Sequence, residues 1–407
     1  MASHDSRAPA RPFLSFRTAT PWRVRFACLA LLIAAACNTT SVDSSSTTIA
    51  PSISKRTDTT TDIHRENNSL PSLIRLQAHH TEAGNFDRDG QLEFVSTVSP
   101  PEYNRLVWGP EQNHEDAYAA WKSAGWKDAI FFTDSQGRSL SKRIVHSEGF
   151  CLHASTLVPA NFNNDGIDDV AVLCHGFDAK PFPGEHSFVL LSQSDGSFLS
   201  KRLTSRTGFF HGGSVMDVNG DSHLDILALN SFDGSTVAYF GDGAGGFPKS
   251  RKLISTGVWQ HAISSFDFDN DGDGDLIIGG NEYGGGDTSQ DLPTRIYLNN
   301  GSGRFSKGNS VTIPGVRGYE TVLDFVVSGE TLFVLRTNRQ YRGGAIQKVD
   351  MNTMQQTGLY TRSDAPHPNR LRPVQPRNGQ PTFSDLSTSR RHFDFSVGAK
   401  NQVLFLN

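Results

Sequence analysis

Carboxylates and side-chain amides recur in this chain at a fixed spacing. Asn85, Asp87, Asp89 and Glu93 occupy positions 1, 3, 5 and 9 of one short segment. Asn161, Asn163, Asp165 and Asp169 repeat the pattern, as do Asp217, Asn219, Asp221 and Asp225, and then Asp267, Asp269, Asp271 and Asp275. The last segment adds Asp273 at position 7. Side-chain oxygens at these positions, with a backbone carbonyl at position 7, would form the hard, irregular oxygen cage that Ca²⁺ accepts. Gly90, Gly166 and Gly272 at position 6 permit a sharp turn, while Ser222 takes that place in the third segment. Without a cation the crowded carboxylates would repel one another. Ca²⁺ is therefore the expected cofactor, held most tightly by 267–275 and more weakly by 161–169. The bland alternative is a solvated acidic turn that binds nothing.

Histidines recur too. His79, His211 and His261 each precede position 1 of an acidic segment by six residues, and His153 does so by eight. Strand alternation places His261, Ile263, Ser265 and Asp267 on one side. The histidines then belong at one end of their strands and the acidic segments at the other, with His175 beside the histidines. In one reading each His hydrogen-bonds a neighbouring strand. In the other the ring of histidines takes a transition metal or an acidic sugar. Residues 100–126 add Tyr103, Trp108, His114, Tyr118, Trp121 and Trp126, with a short helix expected over 111–122. Such aromatics suit stacking on sugar rings or anchoring a protein, and equally suit packing the insertion onto the strands below. Glu282 and Tyr283, with Arg339 and Tyr341, are expected at the same mouth. No nucleophile–base pair, phosphate-binding loop or hydrolase motif is recognisable, so no catalytic residue is assigned.

Strands must position these groups. Each acidic segment is followed by a short apolar run, FVSTV, VAVLC, ILALN and LIIGG, and preceded by an alternating one. A Gly-rich hairpin comes later in each unit: DSQGRSLSKRI, SDGSFLSKRLT, GDGAGGFPKSRKL and NNGSGRFSKGN. Strand, acidic loop, strand, loop, strand, Gly hairpin, strand is the layout of a propeller blade. With its four in-register acidic loops, the chain resembles the FG-GAP/VCBS repeat family of calcium-binding β-propellers, also seen in integrin heads and bacterial surface proteins. The resemblance covers roughly 75–400 and implies an all-β fold: a single β-propeller of four-stranded blades over 69–407, its innermost strands around a central channel. The unit around Asp324 keeps the strand pattern but lacks the acids at positions 3 and 5. Six blades are expected, seven being the alternative, with the segment 69–77 closing the ring against the C-terminal blade.

Composition agrees. Gly 38, Pro 19 and Phe-dominated aromatics favour short strands and tight turns, and a net charge of -4 argues against a general nucleic-acid binder. Arg11, Arg17, Arg23 and Arg25 precede the apolar run Phe26 to Ala36, too short to span a bilayer, so 1–37 reads as an export signal. Its end resembles a lipobox with Cys37 as the lipidated residue, although Ala34 departs from the motif; Ala-x-Ala cleavage and free secretion is the other reading. Residues 38–68 are a Ser/Thr-rich linker. The protein is thus expected to be exported, either as an outer-membrane or cell-surface lipoprotein or in secreted form, touching membrane only through the lipid. Cys151 and Cys174 flank one acidic loop, and their pairing is left open.

Three functions follow. The first is a cell-surface binding or adhesion module for a glycan or protein. The second is a polysaccharide lyase-like enzyme using His, Tyr and Arg at the channel mouth, and the third is a structural scaffold.

Overall fold

The computed structural model describes residues 78–99 apart from 88, 90 and 92, then 114–125, 129–134, 138–140, 142, 144–146, 150–282, 293–363, 372–377, 380–384, 394–397 and 403–405. The export signal with Cys37, the linker, the closing segment 69–77 and the aromatics Tyr103, Trp108 and Trp126 lie outside the described residues. No helix among the described residues is long and apolar enough to cross a membrane.

Alternating and apolar runs fold into up-and-down antiparallel sheets. The first holds β1 (Ala78–Gly84), β2 (Glu93–Val98), β3 (Ala129–Thr133) and β4 (Ser139–Leu140). The second contains β5 (Ile144–His146), β6 (Ala154–Ala160), β7 (Asp169–Cys174), β8 (Phe188–Ser192) and β9 (Phe198–Arg202). The third is β10 (Phe210–Met216), β11 (Asp225–Asn230), β12 (Ser235–Phe240) and β13 (Lys249–Ser255). The fourth is β14 (Gln260–Phe266), β15 (Asp275–Gly280), β16 (Arg295–Tyr297) and β17 (Ser310–Thr312). β18 (Thr321–Ser328), β19 (Thr331–Thr337), β20 (Gly344–Asp350) and β21 (Gln355–Arg362) make the fifth. β22 (Arg372–Arg377), β23 (Gln380–Ser384), β24 (Asp394–Val397) and β25 (Val403–Phe405) make the last. Inner strands β1, β6, β10, β14 and β18 follow one another side by side, and β22 returns to β1. The fold is a β-propeller.

The expected count of six four-stranded blades, or seven, is corrected: the described residues form five four-stranded sheets, whereas the second sheet has five strands in the order β5-β9-β8-β7-β6. The cause lies in the first Gly hairpin. β4 is only two residues long, and the chain after it crosses to run parallel with β9 on the outer edge of the next blade. The last sheet is built from four consecutive strands, and the segment 69–77 expected to close the ring lies outside the described residues.

The core is the stack of layers between blades. Phe86, Phe132, Leu157, Val172 and Phe198 fill the first layer, with Phe132 and Phe198 stacked at 4.7 Å. Val158, Leu173, Phe210 and Ile226 fill the second, Leu227, Ile263 and Leu276 the third, and Ile277, Val322 and Val334 the fourth. β7 and β15 are buried along their whole length, as apolar runs covered on both faces must be. Close approach of inner strands demands glycine at Gly213, where a Cβ would lie 2.5 Å from Leu173 and 2.7 Å from Val158.

One irregularity recurs. In every described pairing of a first with a second strand except that of the last sheet, the register slips once near the start of the first: at residue 79, 155, 211, 261 and 323. The extra residue forms a β-bulge, a device that re-aims a side chain at the rim of a sheet. Alternation from His261 to Asp267 is therefore interrupted at its first residue.

Candidate functional site

Each acidic loop joins the first two strands of a blade. Its fold is set by side chains accepting from nearby backbone N–H groups. Asp221 N donates to Asn219 Oδ1 at 2.9 Å, and His223 N to Asp221 Oδ1 at 2.9 Å; Ile167 N donates likewise to Asp165 at 2.8 Å. In the three loops from residue 161 onward two residues turn left-handed. Position 6 does so at Gly166, Ser222 and Gly272, as the sequence implied, and position 4 does so at Asn164, Gly220 and Asn270. The second position escaped notice because Asn and Gly satisfy it without forming a motif.

Position 9 has a further job. The buried Asp169 accepts from Phe162 N at 2.8 Å and from Ser192 N at 2.7 Å, linking the loop to the end of β8. Asp225 accepts from Val218 N and Gly241 N, and Asp275 from Phe268 N and Asn299 N, in the same way. Burial pushes the carboxyls of Asp169, Asp225 and Asp275 up to about 6, with neighbouring loop carboxylates adding to the effect. Burial raises Glu93 as well, against the hydrogen bond it accepts from Phe86 N.

Oxygen atoms of Asp87, Asp89 and Glu93 lie within 4.8 Å of one another, as do those of Asp267, Asp269 and Asp275. These two loops fit a hard cation. Asp271 and Asp273 stand outside the second trio: Asp271 accepts from Asp273 N, and a Cβ on Gly301 would lie 3.4 Å from Asp273 Oδ2. Asp217, Asp221 and Asp225 are not drawn together as closely; Asp217 instead accepts from Gly220 N at 2.8 Å and Ser222 N at 2.6 Å. In the 161–169 loop Asn161 accepts from Asp165 N, and Asp165 accepts from Ser192 Oγ at 3.0 Å. The blade beginning at β18 has no such loop. Its first two strands meet in a tight turn at Gly329 and Glu330.

The opposite ends of the first strands gather the histidines. His211 and His261 are the bulged residues of β10 and β14, and His153 immediately precedes β6. His175 follows β7. The ring centroids of His153 and His175 are 4.5 Å apart, those of His175 and His211 4.5 Å and nearly parallel, and those of His211 and His261 6.1 Å. The spacing of eight at His153 has a simple cause: Ser155 occupies the bulge of β6 and donates its hydroxyl to Phe210 O on the next blade. His79 is the bulged residue of β1, and its side chain lies outside the described residues. Its neighbour His80 is buried, with Nδ1 accepting from Leu157 N at 2.7 Å and Nε2 3.1 Å from Glu82, and serves packing between blades.

Tyr341 joins the cluster from the β19–β20 loop, its hydroxyl 3.4 Å from His261 Nε2. Burial raises its hydroxyl pKa. Glu282 does not join. It is buried in a two-pronged ion pair with Arg336 at 2.8 and 3.0 Å, and Arg336 also donates to Gln347 Oε1 at 2.7 Å. The expected rim carboxylate is thus a strut between the fourth and fifth blades. Arg339 is exposed in the β19–β20 loop, and Tyr283 lies outside the described residues.

Five residues of this face were not anticipated. Asp178, on the β7–β8 loop, lies with its carboxylate 4.0 Å from His211 Nε2 and within 4.8 Å of His175. Burial pushes its carboxyl up to about 6, with His153 acting against that shift. Trp259 donates from its indole to His261 Nδ1 at 3.2 Å. Phe209 stacks beside His175 and His211 at 4.9 and 4.8 Å. Phe182, Phe232 and Trp259 extend this into an aromatic shelf, on which Phe232 is 56% exposed.

Helix α1 (His114–Ala124) supports the loop that carries Asp178. Its buried Trp121 packs on Phe177 at 5.4 Å and its Tyr118 does so at 5.5 Å, with Ala179 in the same cluster. Trp121 therefore packs the insertion onto the propeller and takes no part in stacking on a ligand. Cys151 and Cys174 form a disulfide with Cα atoms 6.1 Å apart, fixing the chain on either side of His153 and His175. In the register of β6 and β7, Cys174 lies opposite Ala154, close enough for Cys151 to reach it.

The family model described as an FG-GAP-like repeat matches residues 217–278, from the third acidic loop through most of β15. This stretch is an FG-GAP-like repeat. It takes in two acidic loops, the bulged His261 and Trp259. No curated protein matches the chain. Among solved structures it is similar to a Dos1 propeller, at 11% identity and a TM-score of 0.40 over 83% of this chain and 76% of that one. It is also similar to apo AztD from Citrobacter koseri, at 11% identity and 0.35 over 68% and 58% of the two chains. A third is an α-L-arabinofuranosidase from Clostridium thermocellum, at 10% identity and 0.37 over 64% and 94%. The FG-GAP-like repeat thus rests on sequence, and the propeller on the sheets themselves.

Proposed function

We propose that this protein is an exported, calcium-stabilised β-propeller that binds a glycan on the face where its histidines gather. The observation that carries this reading is the convergence of His153, His175, His211, His261 and Tyr341 from neighbouring blades beside an aromatic shelf with an exposed Phe232. Aromatic faces stack on sugar rings, and imidazole and phenol groups hydrogen-bond sugar hydroxyls or carboxylates. The acidic loops, at the far end of the same strands, hold Ca²⁺ and stabilise the fold. The basic-then-apolar segment ending at Cys37, followed by the polar linker, supports export with a lipid anchor at Cys37.

The test is a panel of neutral and acidic polysaccharides offered to the full chain in calcium, reading binding and ultraviolet absorbance of unsaturated products together. Saturable binding without new absorbance, weakened by Phe232→Ala and Trp259→Ala, is expected. Unsaturated product that disappears in Tyr341→Phe would favour a lyase instead. Binding of a protein with no glycan binding, or no binding at all, would defeat the glycan reading.

A further inference from the structure

We propose that His175, Asp178 and His211 form a binding site for one divalent transition-metal ion of the Zn²⁺ class at the channel mouth. The site goes beyond the glycan reading and uses the same face without depending on what that face binds.

Geometry comes first. One ligand atom from each of the three residues lies within 4.8 Å of the other two. Two of them come from the β7–β8 loop of the second blade and the third from the bulge that opens β10 on the third blade. The site therefore spans an interface that the inner strands already hold in register, with Thr156 Oγ1 donating to His211 O at 2.9 Å. A metal would draw the three groups inward by a small movement of side chains.

The donor set points to a class of ion. Two imidazole nitrogens and one carboxylate oxygen are poor company for Ca²⁺, which takes six to eight oxygens. They suit Zn²⁺ and its neighbours, which accept nitrogen and oxygen at four-coordinate sites. Three protein ligands leave a fourth position facing the mouth, as in sites that keep a place for water or a ligand.

Orientation follows. His175 Nδ1 is 2.8 Å from Gly176 O, and a carbonyl can only accept, so Nδ1 carries the proton and Nε2 is the unprotonated nitrogen. Metal-binding histidines are typically oriented by such a bond from the second nitrogen to a carbonyl. Asp178 is steadied by its neighbours Phe177 and Ala179, both buried against Trp121 of α1. His261 stays outside the set, because Trp259 occupies its Nδ1 and Tyr341 lies at its Nε2.

The test uses the full chain, stripped with chelator and resupplied with excess Ca²⁺ to occupy the acidic loops, then titrated with Co²⁺ and Zn²⁺. One equivalent of Co²⁺ should produce visible d–d absorption that one equivalent of Zn²⁺ displaces. His211→Ala should abolish the signal and Asp178→Asn should weaken binding by about tenfold or more, while Lys249→Ala on the exposed strand β13 leaves it unchanged. His211→Asn, closer in shape, is measured alongside, and circular dichroism confirms that each variant is folded. A wild-type chain that shows no Co²⁺ spectrum, or folded His211 and Asp178 variants that bind as the wild type does, would overturn the site. Loss of glycan binding in Phe232→Ala with Co²⁺ binding intact separates this site from the glycan reading.

Discussion

The indole Nε1 of Trp259 donates to Nδ1 of His261 at 3.2 Å. An indole nitrogen never accepts, so Nδ1 must be the bare nitrogen and neutral His261 carries its proton on Nε2, toward Tyr341. Long-range ¹H–¹⁵N spectra of the imidazoles should show His261 in that tautomer, and Trp259→Phe should allow the other to appear. A wild-type His261 protonated on Nδ1 would contradict the assignment.

Calcium should govern stability. With free Ca²⁺ at about 100 times its Kd, each occupied loop adds ~2.7 kcal/mol. EGTA should lower the melting temperature and Ca²⁺ should restore it. Asp269→Asn, which breaks a gathered trio, should lose more of this calcium-dependent gain than Asp221→Asn, whose loop is not gathered. A melting curve indifferent to EGTA would remove the calcium role.

Ser222 holds a φ of 69°, where Gly166 and Gly272 sit in the equivalent loops at 87° and 92°. A side chain in this region costs energy that glycine does not pay. Ser222→Gly should stabilise the fold by about 0.5–1 kcal/mol and Gly272→Ala should destabilise it by about 1 kcal/mol or more, both read as shifts in urea midpoint. A destabilising Ser222→Gly or a stabilising Gly272→Ala would refute the loop geometry.

Arg336 and Glu282 are both buried, and each would leave an uncompensated charge if the other were removed. Glu282→Gln and Arg336→Met should each cost about 3–5 kcal/mol, whereas Glu282→Leu combined with Arg336→Met should recover much of that loss. A double variant whose loss is the sum of the two single losses would mean that the pair is not coupled.

The Cys151–Cys174 bridge closes a loop with a sequence separation of 23. Chain-entropy arguments assign a loop of that size a contribution of ~3 kcal/mol. Cys151→Ser with Cys174→Ser should lower the denaturation midpoint accordingly, and reductant should have no further effect on that variant.

Much of this was legible because blades repeat locally. The acidic loops, the strands beside them and the gathering of histidines at the opposite end all follow from spacing along a strand. What stayed hidden depends on pairing between distant segments. The bulge at His211 and His261 is one extra residue, invisible to a period of two. Asp178 sits on the loop between the second and third strands, whose sequence does not repeat from unit to unit, so no repeat pointed to it. Glu282 resembled a rim carboxylate because its partner, Arg336, lies 54 residues away on another blade. The fifth strand of the second blade arises where a Gly hairpin proves too short to keep its outer strand.

The position-9 carboxylates bear on how the blades find their pairing. Asp169 faces Ser192 N, Asp225 faces Gly241 N and Asp275 faces Asn299 N, each donor lying at or just beyond the end of a third strand. A slip of one residue in that strand would turn its side chains to the wrong face. It would also strand a buried carboxylate without its donor, at a cost of about 1–3 kcal/mol or more. These three aspartates thus act as proofreaders of strand alignment in consecutive blades, penalising a misaligned sheet before any ion arrives.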